Sequence, residues 1–311
     1  MANKKFDQQL AALEQVLQAG ASPAAVADLR TALLNRNNYI VAKAAKVAAQ
    51  LALGELIPDM ISALDRFYRD PVKTDPQCWA KHALIQALAG MGHDDSRVYV
   101  RGLRHVQMEP VWGKHEDTAG RLRASCALAL AACRDLDNFG VLVQLLESLA
   151  DADHTVRMEA ARAIGQMGCR EGALLLRLRA LTGDPEPEVL GACFSALLAA
   201  EGNAGIGFVA GFLGKGDDVA GEAALALGAL RNEEALAILK ERWQREGNTP
   251  FGGVLLAAIA LTRQPQAFDL LVELIEQHAP AAAAAARALE SVPLPAEARA
   301  RLDVAMAQVK E

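Results

Sequence analysis

Between residues 66 and 123 the chain gathers ten Lys and Arg residues against seven Asp and Glu, together with Phe67, Tyr68, Trp79, Tyr99 and Trp112. Cations interleaved with aromatic rings are the chemistry of anion or nucleic-acid contact, because the charge neutralises phosphate and the rings stack on bases. An excess of three charges is small, however, and is the balance of an ordinary solvated mixed-charge surface. His115-Glu116 lies in the same segment and is the one histidine followed by a glutamate; His82, His93 and His154 have no such neighbour. A hard-ligand dimetal site draws on several carboxylates and histidines at once. A single pair cannot supply them, so neither a metal nor a cofactor is expected.

Nucleophile and phosphate-loop chemistry is absent from the motifs. There is no Gly-x-Ser-x-Gly, no Gly-x-x-x-x-Gly-Lys-Ser/Thr and no Gly-x-Gly-x-x-Gly after a strand. The glycine-rich Gly202–Gly216 lacks the Lys-Ser/Thr ending and reads as a flexible or tightly packed second helix of a pair. Cys78, Cys126, Cys133, Cys169 and Cys193 form no Cys-x-x-Cys pair and are odd in number. Three of them, Cys126, Cys133 and Cys193, fall on apolar helix faces, where cysteine acts as a small hydrophobe. A reducing compartment fits best. The start, with Lys4, Lys5 and then Asp7 and two glutamines, has no apolar signal core. The longest weakly apolar run, Ala279–Ala286, is too short to span a bilayer. A cytoplasmic protein without membrane contact is the expectation.

The elements that must position these residues are helices. Hydrophobic content is 52% with only 5% aromatic, so the apolar mass is mostly Ala and Leu, strong helix formers that let helices approach closely. No alternating Val/Ile/Thr segment bounded by turns appears, and no strands are expected. The line Asp153–Gly168 recurs in degraded copies. With the alanine of its Ala-Ile-Gly step as marker, the copies stand at 48, 87, 129, 163, 196, 226, 260 and 288. Spacings of 28 to 42 residues with helical content are the signature of stacked two-helix units. In the clearest unit Val156, Ala160, Ala163, Ile164 and Met167 share one helix face, Asp153 caps the start and Gly168 ends it. The second helix, about Glu171–Leu181, places Leu174, Leu178 and Leu181 on one face. Asp184-Pro185 opens the next unit. Residues 1–38 and 293–311 read as capping helices around repeats at 39–292, in a single domain 1–311. Lys81, Arg123 and Arg157 occupy equivalent slots, where pairing with acidic neighbours is expected.

Val-Arg-x-x-Ala-Ala-x-Ala-Ile-Gly-x-Met-Gly, carried by Val156–Gly168, resembles the HEAT-like repeat named after the phycobilisome lyases, over roughly residues 40–292. The resemblance implies an all-α, right-handed solenoid (superhelix) whose second helices line a concave face. It implies no single activity, because the fold hosts scaffolds, bilin lyases, a di-iron hydroxylase and DNA glycosylases. The hydroxylase presents His-Glu pairs at several helix starts, and this chain has one.

The net charge of −6 divides as +1 over residues 1–150 and −7 over 151–311, which argues against a dedicated nucleic-acid or anionic-membrane binder. The reading that remains is a monomeric, non-enzymatic scaffold that binds a protein partner on its concave surface; an enzyme on the same fold, glycosylase-like or bilin-lyase-like, is the alternative. Repeat spacing breaks at Tyr68–Pro76 and His105–Asp117, and irregular insertions are where function concentrates. The expected contact residues are Tyr68, Trp79, Tyr99, Arg101, Arg104, His105, Trp112 and His115, with Trp79 and His105 also open to a core role.

Overall fold

The computed structural model describes the backbone of residues 2–308 and the side chains of residues 5–306. It is all-α apart from one β-hairpin and forms two compact units, the first ending at Ala163 and the second beginning at Ile164.

The first unit contains α1 (Ala2–Ala19), α2 (Pro23–Leu33), α3 (Asn38–Gln50), α4 (Ile57–Phe67), the short α5 (Pro71–Thr74), α6 (Trp79–Gly90) and α7 (Ser96–Leu103). Strands β1 (Met108–Val111) and β2 (Lys114–Asp117) follow, then α8 (Gly120–Leu130), α9 (Asn138–Ser148) and most of α10 (His154–Met167). Helices α3, α6 and α8 pack side by side in chain order as one layer, and α2, α4, α7 and α9 pack against them as a second. The second unit repeats the scheme with α11 (Arg170–Thr182), α12 (Pro187–Glu201), the one-turn α13 (Ile206–Ala210), α14 (Asp218–Ala229), α15 (Glu233–Glu246), α16 (Pro250–Leu261), α17 (Pro265–Glu276), α18 (Ala282–Glu290) and α19 (Ala296–Gln308). There α12, α14, α16 and α18 form the first-helix layer.

The sequence register explains this layering. All eight marker alanines (Ala48, Ala87, Ala129, Ala163, Ala196, Ala226, Ala260 and Ala288) are buried, each near the end of a first-layer helix. The glycine after the marker allows the closest approach. A Cβ on Gly165 would lie 2.6 Å from that of Ala196, and one on Gly228 would lie 2.2 Å from the Ala258 carbonyl oxygen. Small residues at these steps are what permit neighbouring first helices to touch.

Local signals behave unevenly. Gly168 ends α10 with φ +60°, and Asp153 Oδ1 accepts from Thr155 N at 2.8 Å, as expected of a cap. Asp184 instead accepts from Glu186 N, and the helix starts two residues later with Pro187 at its first turn. The Gly202–Gly216 stretch is a broken run of 3₁₀ and α turns rather than one helix. Pro187–Lys215, not Ala279–Ala286, is the stretch long and apolar enough by composition to cross a membrane. Its continuity breaks at Gly202 (φ +57°), and Val189, Phe194 and Leu197 are buried in the second unit's core. A further expectation fails: His105–Asp117 contains the β-hairpin, where no strands were expected. Leu174, Leu178 and Leu181 share a face of α11, and it is the exposed one (67%, 58% and 69%); Ala173, Leu176 and Ala180 face the core.

Candidate functional site

The segment Asp75-Pro-Gln-Cys-Trp79 holds two consecutive left-handed residues that are not glycine, Gln77 (φ 58°) and Cys78 (φ 56°). Such backbone costs about 1–2 kcal/mol per residue, so something must hold it. The Asp75 carboxylate is fully buried and caps α6, accepting from Ala80 N at 2.8 Å and Lys81 N at 2.9 Å. The same carboxylate accepts from Asn38 Nδ2 at 2.9 Å and pairs with the buried Lys81 ammonium at 3.0 Å. A negative group at a helix N-terminus is favourable in itself, and here it also pairs with the buried Lys81 ammonium.

The hairpin clamps the other side of this turn. Glu109 Oε1 accepts from Gln77 N, Gln107 Nε2 and Thr118 Oγ1, each at 2.6 Å. Gln107 Nε2 also donates to the Asp75 carbonyl at 2.9 Å, and Gln107 Oε1 accepts from the Cys78 thiol at 3.3 Å. Burial alone raises the Glu109 pKa, but the hydrogen bonds from Thr118, Gln107 and Gln77 outweigh it and hold the carboxyl below the usual range. Asp117, at the end of β2, behaves the same way. It accepts from Gln107 N, Ala119 N and, at 2.6 Å, Arg123 Nη1. Arg123 in turn grips Asp151 through two bonds of 2.7 and 2.9 Å. Lys81 and Arg123 are therefore structural cations with acidic partners. Arg157 reaches the Asp151 and Ala152 carbonyls from the equivalent slot.

This frame borders a recess of about 640 Å³ on the first-helix face of the unit, walled by α3, α6, the start of α8 and the hairpin. An aromatic row runs along it. Trp79 is half exposed, its Nε1 donates to Gln77 Oε1 at 3.1 Å, and its ring lies 6.1 Å from Tyr39. Tyr39 lies 5.8 Å from Phe6. Three basic side chains line the same recess, Lys46 on α3, His82 on α6 and Arg121 on α8. His82 Nε2 meets Ser125 Oγ at 3.0 Å. Its pKa is lowered by burial and then by the positive charges of Arg121 and Lys46. A histidine serving as base to a serine is normally supported by a carboxylate, and here its charged neighbours are cations. At the hairpin tip Trp112 (φ 44°) and Gly113 (φ +83°) make a two-residue turn with both positions left-handed, and Trp112 is fully exposed.

Seven of the eight expected contact residues separate into two groups. Trp79 lines the recess, and Trp112 and His115 stand exposed on the hairpin beside Val111 and Glu116, which do line it. Tyr68, Arg101, Arg104 and His105 lie away from it. The Tyr68 ring is held between Arg101 at 4.0 Å and His105 at 5.0 Å; Arg101 pairs with Asp65, and His105 meets Gln107 at 3.1 Å. Arg104 donates to Gln144 at 3.0 Å, across a smaller pocket of about 370 Å³. Tyr99 is a correction. It is fully buried and its hydroxyl donates to the His93 carbonyl at 2.7 Å, so it is a core residue with a satisfied polar end. Tyr39, Lys46, His82 and Arg121 line the recess without having been among the expected contacts. Part of the signal was present: Lys43 and His82 stand five residues before their marker alanines, Trp79 and Arg121 eight before theirs.

His115 and Glu116 fall on β2, where successive side chains point to opposite faces. Among the described residues no three His, Cys, Asp or Glu side chains gather as metal ligands. A second kind of surface appears on second-layer helices. Phe139, Val143 and Leu146 on α9, like the three leucines on α11, are exposed at i, i+4, i+7 spacing. Compared with known proteins, the chain matches no family and no characterised sequence.

Proposed function

We propose that the chain is a non-catalytic protein-interaction module and that the recess between α3, α6, α8 and the hairpin docks a segment of a partner protein. The observation that carries this reading is the pair of exposed tryptophans, Trp79 and Trp112, set on backbone in the left-handed region at or beside each. An exposed indole is unfavourable in water, and strain at the same place adds to the cost. Aromatic anchors on a rigid frame are the usual source of binding energy at protein interfaces. The exposed apolar stripes on α9 and α11 support the same class of function, since stripes at helical spacing commonly mark protein contacts.

In the same reading the helix pairs are HEAT-like repeats of a right-handed α-solenoid, supported by the burial of every marker alanine. The cytoplasm is the proposed location, supported by five unpaired cysteines.

Affinity capture tests the docking role. Wild type and an Arg104→Ala control should recover the same partner, and Trp79→Ala/Trp112→Ala should lose it. Equal recovery by all three would overturn the assignment of the recess.

A further inference from the structure

The recess is lined by basic groups that have no direct counter-ion among the described residues. Lys46, His82 and Arg121 come from three different helices and face one space. Neither Lys46 nor Arg121 forms an ion pair among the described residues, whereas the other charged groups lining the recess have protein partners with one exception. Lys43 meets Glu14 at 3.4 Å, Asp117 is held by Arg123, and Asp153 bonds the Thr155 amide. The exception is Glu116, on the hairpin edge. Asp153 also fills the space over the start of α8, since a Cβ on Gly120 would lie 1.9 Å from its Oδ2. That helix terminus already faces a carboxylate, so an incoming anion would meet side chains rather than the helix end.

We propose that the occupant of the recess is an extended acidic segment of a partner protein. One carboxylate sits among Lys46, His82 and Arg121, and a neighbouring apolar side chain lies against Trp79 and Tyr39. This rests on the docking role proposed above and specifies its ligand. Charge complementarity selects the carboxylate: like charges converging without a counter-ion become favourable only when an anion arrives. The aromatic row selects the apolar neighbour. The volume, about 640 Å³, is that of a site for a small ligand, and a helix about 10–12 Å across does not fit it. A polyphosphate backbone is disfavoured because it would carry a charge at every step past Glu116, Asp117 and Asp153, whereas the peptide sets one carboxylate beside Lys46 and Arg121 and an apolar side chain next to it.

Fluorescence anisotropy with defined probes tests this. Three fluorescein-labelled nonapeptides share the same Phe and Leu positions and differ only in carrying Asp/Glu, Asn/Gln or Lys between them. An oligothymidylate serves as the nucleic-acid arm. The acidic peptide should bind wild type at least about tenfold tighter than the amide peptide, the scale of one charge-assisted hydrogen bond. That advantage should vanish in Lys46→Glu/Arg121→Glu, with the far-ultraviolet circular dichroism unchanged, and persist in Arg104→Glu. Equal binding of acidic and amide peptides, both weakened by Trp79→Ala, would overturn the acidic ligand and leave the recess as a docking site. Tighter binding of the oligothymidylate would overturn a protein ligand. Failure of every probe to bind would overturn both proposals.

Discussion

The buried pair Asp75–Lys81 is where stability and site geometry meet, and a double-mutant cycle on it tests the frame. Asp75→Asn leaves the Lys81 ammonium in a fully buried position without its ion-pair partner, and removing one partner of a buried pair costs about 3–5 kcal/mol. Lys81→Met is milder. The Asp75 carboxylate keeps three donors, the amides of Ala80 and Lys81 and the Asn38 side chain, so the expected loss is about 1–2 kcal/mol. Asp75→Asn/Lys81→Met removes both charges, and replacing a buried pair by neutral groups is often nearly neutral. The double mutant should therefore be more stable than Asp75→Asn alone, and the two single losses should fail to add.

The same network holds Gln77 and Cys78 in left-handed backbone, a strain of about 2–4 kcal/mol for the two together. Asp75→Asn removes interaction of that same size, so the turn should relax and Trp79 should move. Urea unfolding followed at 222 nm gives the stabilities. The emission of Trp79, isolated by Trp112→Phe and Trp243→Phe, reports its environment. A cost below about 1 kcal/mol for Asp75→Asn, or a double mutant no more stable than that single mutant, would refute the reasoning.

Three further outcomes follow from burial and charge. His82 has its pKa lowered by burial and then by Arg121 and Lys46, and His105 is lowered chiefly by burial. The unfolded chain therefore binds these protons first. Their contribution to stability is full above the ordinary value of 6.5 and is lost as pH falls through the lower folded values. The His82 ring should titrate below 6.5 by NMR, and a midpoint at or above it would contradict the geometry. Burial pushes the Cys78, Cys133 and Cys193 thiols up to about 12, and Cys126 higher still. Ellman's reagent at pH 8 should find one fast native thiol, the half-buried Cys169; two or more would show that the core is open. On α11, Leu176→Ala should cost about 2–5 kcal/mol and Leu178→Ala less than about 0.5 kcal/mol by urea unfolding, and the reverse order would mean that the exposed face has been misassigned.

The repeat was legible because its demands are local. An alanine that must let two helices touch is constrained by packing alone, and each marker alanine is buried where the register puts it. Facing was harder to read. On α11 both Leu174/Leu178/Leu181 and Ala173/Leu176/Ala180 keep helical spacing, and only the neighbouring helices decide which set is covered. The hairpin carried almost no strand signal, since β1 contains Pro110 and β2 is Lys-His-Glu-Asp. Its register comes from the Trp112-Gly113 turn and from Gln107 and Glu109 bonding to Asp75 and Gln77, far away in the chain, with Asp117 held by Arg123 of the next helix. Side-chain anchoring of that kind leaves no periodicity to find. Tyr99 shows the complementary error, because ring chemistry says nothing of exposure and a phenol can be buried once its hydroxyl reaches a carbonyl.

Backbone strain separates the site from the scaffold more sharply than composition does. Ala52, Arg231, Arg263 and His278 are left-handed without being glycine, and each stands two residues past the end of a helix. That conformation is the ordinary way to terminate a helix, so these four need no function. Asp70 opens a proline-led helical turn, and a short polar side chain tolerates the left-handed region. Three remain: Gln77, Cys78 and Trp112. None terminates a helix, all three lie at the recess or on the hairpin that borders it, and two adjoin or are exposed tryptophans. A fold seeking only stability would place glycine or asparagine at such positions, as it does one residue later at Gly113. Tryptophan at position 112 worsens both the backbone energy and the solvation of the free chain. Covering the indole offsets the second of these costs, and under the docking role proposed above that places the partner contact at the hairpin tip and the start of α6.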